Sequence, residues 1–134
     1  MSTPDDAARQ QAQRLAAGDA TVDALGLRVF EVSVGRAAVA MTVGPQMLQG
    51  HGTCHGGYLF LLADSAFAFA CNTRGPAAVA AGADITFLAP AHLGDELVAT
   101  AVERVVSGRS GLYDVTVRRG EQVVAELRGR SRSR

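Results

Sequence analysis

Two cysteines, Cys54 and Cys71, are all that the 134 residues contain, too few for a disulfide framework. Reduced thiols in a cytoplasmic setting fit that count best. Net charge is missing as well: thirteen acidic side chains balance thirteen basic ones, so no global field exists to gather nucleic acid. Lysine is absent and every basic residue is an arginine, for which the residues suggest no functional reason. The longest apolar run is about 15 residues and carries Asp64, short of what a bilayer span needs. Asp5 and Asp6 come early with no apolar segment behind them, so the start is not read as a signal peptide. No internal repeat or low-complexity stretch is visible. The arginine- and serine-rich tail reads as a solvated strand end. Neither a nucleic-acid nor a membrane partner is expected.

What the chain does have is a hydrophobic share of 48%, enough for a real core in one domain over residues 1–134. Residues 2–20 read as a polar helix that docks on the domain edge and frays at its start. Residues 27–34 alternate as a strand with Phe30, Val32 and Val34 on one face, and residues 37–43 form a second. Gly44-Pro45 breaks the pairing. After a central helix, Gly75 and Pro76 read as its cap and stop. Four strands follow, over residues 78–88, 96–106, 111–118 and 123–130, with hairpin turns at 107–110 and 119–121. An antiparallel sheet wrapped around one apolar helix, with a short N-terminal helix beside it, makes this an α+β fold.

The central stretch His51–Asn72, HGTCHGGYLFLLADSAFAFACN, organises the rest. It is apolar on every side, which predicts burial all round. One charge stands inside it. Asp64 is a poor helix former, and an ionised carboxylate is costly to bury without partners. A structural buried acid would account for it alone. Gly56 and Gly57, however, sit where the helix begins, and its first amides lack internal partners at the positive end of the dipole. Glycine there admits a close ligand, and such amides suit a carbonyl oxygen gaining charge. Amide donors plus a carboxylate are the two components of an acyl-transfer site.

Eight residues separate Gly56 from Asp64, about 12 Å along a helix axis. One carbonyl held ~3 Å from both cannot bridge that gap. Two antiparallel helices related by a twofold axis can close it, so the spacing predicts a homodimer with two interface sites.

HGTCHGG, LADSAFAFACN and ITFLAPAHLGD together resemble the hotdog-fold acyl-CoA thioesterases of the phenylacetate-degradation (PaaI) type, over roughly residues 24–129. The resemblance implies acyl-CoA as substrate, in particular phenylacetyl-CoA or its ring-hydroxylated versions. It implies Gly56 as the oxyanion donor, Asp64 of the opposite subunit as nucleophile or general base, and His55 beside the thioester. Dimers of this type commonly pair into tetramers. The chain departs from the pattern in two places. Gln49 stands where the family commonly has an asparagine that positions water or carbonyl, and Ala80, Ala81 and Gly82 offer no hydroxyl to assist Asp64.

Catalytic candidates are therefore Asp64, Gly56, His55 and Gln49. Gly57 joins them at the substrate, Phe60 and Phe67 could line an acyl pocket on the side of Asp64, and Arg109 with Ser110 could meet the coenzyme's phosphates. His51, Cys54, His55 and Cys71 include zinc-ligand types, but not at the spacing of a standard site, and no metal is expected. No cofactor is expected either, coenzyme A being part of the substrate. The residues also admit a hotdog dehydratase pairing His55 with Asp64, or an acyl-CoA-binding protein without turnover.

Overall fold

In the computed structural model, which describes residues 2–134, the first helix is set by a reciprocal cap. The Thr3 hydroxyl accepts the Asp6 N–H, and the Asp6 carboxylate accepts the Thr3 N–H. Helix α1 (Pro4–Ala17) follows, burying Ala8 and Ala12 against the sheet edge. Met1, included in the expected domain over residues 1–134, lies outside the described residues. Asp19 then caps a second short helix, α2 (Ala20–Leu25), by accepting the N–H groups of Thr21 and Val22.

Six antiparallel strands follow: β1 (Arg28–Ser33), β2 (Arg36–Thr42), β3 (Ala78–Phe87), β4 (Glu96–Ser107), β5 (Ser110–Arg119) and β6 (Gln122–Ser133). Their spatial order is β1-β2-β4-β5-β6-β3, so β1 and β3 are the sheet edges. Two-residue turns close β4–β5 and β5–β6, each with a glycine, Gly108 or Gly120, at positive φ near 60°. The strict alternation expected in β1 does not hold. Glu31 adopts a left-handed φ of 51°, and the register slips between Phe30 and Ser33. That bulge leaves Phe30 37% exposed while Val32 is buried.

Helix α3 (Gly56–Cys71) lies across β2, β4 and β5. Leu59, Leu62, Ala63, Ala66, Phe67 and Ala70 face the sheet and meet Val39, Met41, Leu97, Tyr113, Val115 and Val117. Its end is not capped by Gly75. Asn72 does this instead, donating to the carbonyls of Ala68 (2.8 Å) and Ala78 (3.0 Å) and accepting the Ala78 N–H (2.9 Å). One side chain thus ties the helix end to the start of β3.

Burial all round, expected of an all-apolar helix, is corrected by the structure. Gly57 and Ala68 are exposed and Leu61, Asp64 and Ser65 are half-buried, forming an open stripe along α3. β3 is open too, bonded only to β6, with Val79 67% and Phe87 52% exposed.

Candidate active site

His55 begins the site because it begins the helix. Its extended backbone ends the loop, and its carbonyl accepts the N–H groups of Tyr58 and Leu59. Its ring Nδ1 accepts the Gly57 N–H at 3.1 Å. That bond leaves Nδ1 unprotonated and the ring proton on Nε2. Gly57, expected to offer its amide to substrate, therefore already spends it on His55. The Gly56 N–H has no partner among the described residues, so the donor count at this helix start is one.

Phe87 shapes the space around that amide. A Cβ placed on Gly56 would stand 3.1 Å from the tip of the Phe87 ring. The ring thus lies against the glycine.

Gln49 shapes the loop in front. Its Nε2 donates to the Thr53 hydroxyl (2.8 Å) and its Oε1 accepts the His51 N–H (3.0 Å). Its backbone is bonded to Thr53 and Gly52 as well. Both ends of the carboxamide hold the 49–53 turn closed.

Asp64 stands two turns into α3 on the open stripe. No donor or cation is bonded to its carboxylate among the described residues. Burial by its apolar neighbours pushes its pKa up, as the charged form is only partly hydrated. The same burial pushes the Cys71 thiol up to about 11, with the Asp64 charge adding a smaller push. Beside Asp64 runs an open groove of about 530 Å³, walled on one side by Leu61, Ser65 and Ala68 and on the other by Leu15, Asp19 and Thr21. The α1–α2 junction therefore walls the groove beside Asp64, which the polar, irregular sequence around Gly18 did not announce.

The aromatic candidates divide. Phe60 is half-buried against the core. Phe67 is fully buried, its ring 5.5 Å from that of Tyr113 and pressed on Gly129. Three residues beyond Asp64, it is turned toward the sheet and does not reach the groove. Arg109, in the β4–β5 turn, and Ser110, at the start of β5, stand apart by the C-terminal end of α3, while His55 and Gly56 lie at the other end. Among the described residues no three His, Cys, Asp or Glu side chains converge on a common point. Among the described residues no helix is long and apolar enough to cross a membrane.

Residues 51–126 match the model of the thioesterase superfamily. Acyl-coenzyme A thioesterase PaaI of Escherichia coli is 47% identical over 123 residues, covering 91% of this chain and 88% of the relative. The solved structure of E. coli PaaI, from the phenylacetic acid degradation operon, superposes with a TM-score of 0.96 at 44% identity over 98% of this chain and 96% of that one. The Streptococcus mutans smu.793 structure, bound to acetyl CoA, superposes at 0.77 with 26% identity over 81% and 88% of the two chains. With six antiparallel strands around α3 and these matches, the chain belongs to the thioesterase superfamily, as a hotdog-fold thioester hydrolase of the PaaI type.

Proposed function

We propose that the protein hydrolyses aryl-acetyl-CoA thioesters, phenylacetyl-CoA or its ring-hydroxylated forms, at sites shared between two subunits. One observation carries this: a lone unpartnered carboxylate and a lone unpartnered helix-start amide share one helix about 12 Å apart. Neither completes a site in its own protomer. An antiparallel copy supplies the missing half to each, which makes two sites per dimer.

Both open features of the protomer favour that copy. β3 is a ten-residue edge of mostly small side chains without lysine or proline, the kind of edge that pairs with another strand. Pairing β3 with its twofold mate continues the sheet and turns the two open α3 stripes toward each other. A second pairing of dimers into tetramers follows the family habit.

The thioester carbonyl is polarised by the Gly56 N–H, beside the Phe87 ring. Asp64 of the partner subunit attacks the carbonyl carbon or takes a proton from the water that does. The C–S bond breaks and coenzyme A leaves as a thiolate, a good enough leaving group to need no strong acid. His55 presents Nε2–H as a further donor at the mouth, and Gln49 holds the loop that carries it. The groove has the volume of a small-ligand pocket, and the E. coli relative points to an aryl-acetyl group. No cofactor is needed. A dehydratase would require His55 as a base, and in this tautomer its free nitrogen is a donor instead.

Thiol release from a panel of acyl-CoA thioesters tests the reading. Fast turnover of aryl-acetyl-CoA by wild type is expected, with Asp64→Asn reduced by about 10²–10⁴-fold. Undiminished turnover in the variant would overturn the role of Asp64.

A further inference from the structure

The end of α3 carries two buried polar side chains that the hydrolytic groups leave unused, Asn72 and Thr73. The Thr73 hydroxyl donates to the Ala70 carbonyl and accepts the Gly35 N–H, each at 2.8 Å, which ties the helix end to the β1–β2 turn. Asn72 ties it to a different place. Its Nδ2 donates to the carbonyls of Ala68 and Ala78, and its Oδ1 accepts the Ala78 N–H. Among the described residues no other hydrogen bond joins α3 to β3. Asn72 also borders the groove beside Asp64, yet both its amide protons are already spent on backbone carbonyls. It has no proton left to offer a ligand.

What this side chain controls follows from where Asp64 stands. Eight residues separate Gly56 from Asp64, and eight more separate Asp64 from Asn72, so the acid lies about 12 Å from either end. The start of the helix has anchors of its own. The His55 N–H donates to the Met47 carbonyl (2.7 Å), and the Cys54 N–H donates to the Ala91 carbonyl (2.8 Å). Asp64 has no bond that would hold it, so its carboxylate goes where the helix goes. The helix is fixed on β3 by Phe87 against Gly56 at one end and by Asn72 at the other.

In the proposed dimer β3 is the strand that meets its mate. A line of contacts then runs from Asp64 along α3 to Asn72, through Ala78 into β3, and across the strand pair to the partner's Phe87 and Gly56. Slack between α3 and β3 in one subunit moves its acid relative to the amide of the other. A misplacement of about 1 Å between reacting groups can cost on the order of 10²-fold in rate.

We infer that Asn72 is a positioning residue for the shared site, fixing Asp64 against the Gly56 amide of the partner subunit while touching neither substrate nor acid. This rests on the shared-site thioesterase reading.

Asn72→Ser separates the two things the side chain does. A serine hydroxyl bonds back to the carbonyl four residues earlier, here that of Ala68, and is too short to hold Ala78 as well. The helix end stays capped and the tie to β3 is cut. For aryl-acetyl-CoA, kcat should fall about 10–10²-fold with KM within about threefold of wild type. Asn72→Asp, which has the same shape but gives up both donated bonds, should behave alike. Unchanged kcat in both variants, or a loss carried wholly by KM, overturns the role.

Mixed dimers tell positioning from general damage. Gly56→Pro, which deletes the amide donor, mixed with Asp64→Asn gives dimers in which one site has both groups intact, its acid on the Gly56→Pro chain. Adding Asn72→Ser to that chain should lower the activity of the mixture about 10–10²-fold. Adding it to the Asp64→Asn chain instead should leave the activity within about twofold, since the helix start that carries the amide is held separately. Equal losses in the two mixtures, or no loss in the first, overturn the positioning role and leave the shared site standing. An inactive mixture without any change at Asn72 overturns the shared site, and the positioning role with it.

Discussion

Asp64 meets two opposed demands. Half-buried and without a donor, its carboxyl titrates above the 3.8 of a free aspartate. The proposed mechanism uses the ionised form, so the acid limb of the kcat/KM profile should lie above 3.8 and disappear with Asp64→Asn. Stability runs the other way. A folded-state pKa above the unfolded one gives a contribution that is complete below 3.8 and lost as pH rises through the folded value. At neutral pH the ionised group therefore weighs against folding, and Asp64→Asn should raise Tm by up to a few degrees. The gain should shrink to nothing below pH 3.8, which thermal melts across a pH series will read. A lower Tm for the variant at pH 7 would mean that the carboxylate has a stabilising partner. His55 separates structure from chemistry differently. His55→Ala loses the cap on the Gly57 N–H and should cost about 1 kcal/mol. His55→Asn, whose side chain is itself a good N-cap, should restore Tm but not turnover, because the Nε2–H is gone.

At the scale of elements, legibility in the sequence follows local physics. The start of α3 was readable because two glycines precede a long apolar run, and the hairpins because Gly108 and Gly120 mark tight turns. α2 was not: six residues carry too little periodicity to tell from a loop, and only the Asp19 cap betrays them. The bulge at Glu31 was hidden because a non-glycine residue in the left-handed region leaves no compositional trace. The Gly57 amide was misassigned because sequence places His55 beside it without saying where the ring turns. The open stripe of α3 was missed since an all-apolar helix looks the same whether its own sheet or a second copy covers it. β3 is where that second copy can be tested. Val79→Lys with Ala81→Lys puts charge on an exposed edge. Light scattering should then report protomers where wild type gives dimers or tetramers, with thiol release lost in parallel. Full activity in a monodisperse protomer would sink the shared site.

For the whole molecule, the proposed shared site makes each chain a half of two sites and the whole of none. Gly56→Pro removes the amide proton alone: proline is well tolerated at the first position of a helix, and the extended backbone of His55 suits a following proline. The Phe87 ring tip must shift slightly, and being half-exposed it has room. Loss of one oxyanion donor should lower kcat by about 10²–10³-fold with Tm within a few degrees of wild type. Asp64→Asn should be comparably impaired for an unrelated reason. Mixed after dissociation and reassociation, the two inactive proteins form hybrid dimers in which one site pairs the intact amide with the intact acid. Random reassortment makes about half of the dimers hybrid, each with one working site in two, so about a quarter of wild-type activity should return. Sites confined to single chains would return none, because every chain in the mixture carries a defect.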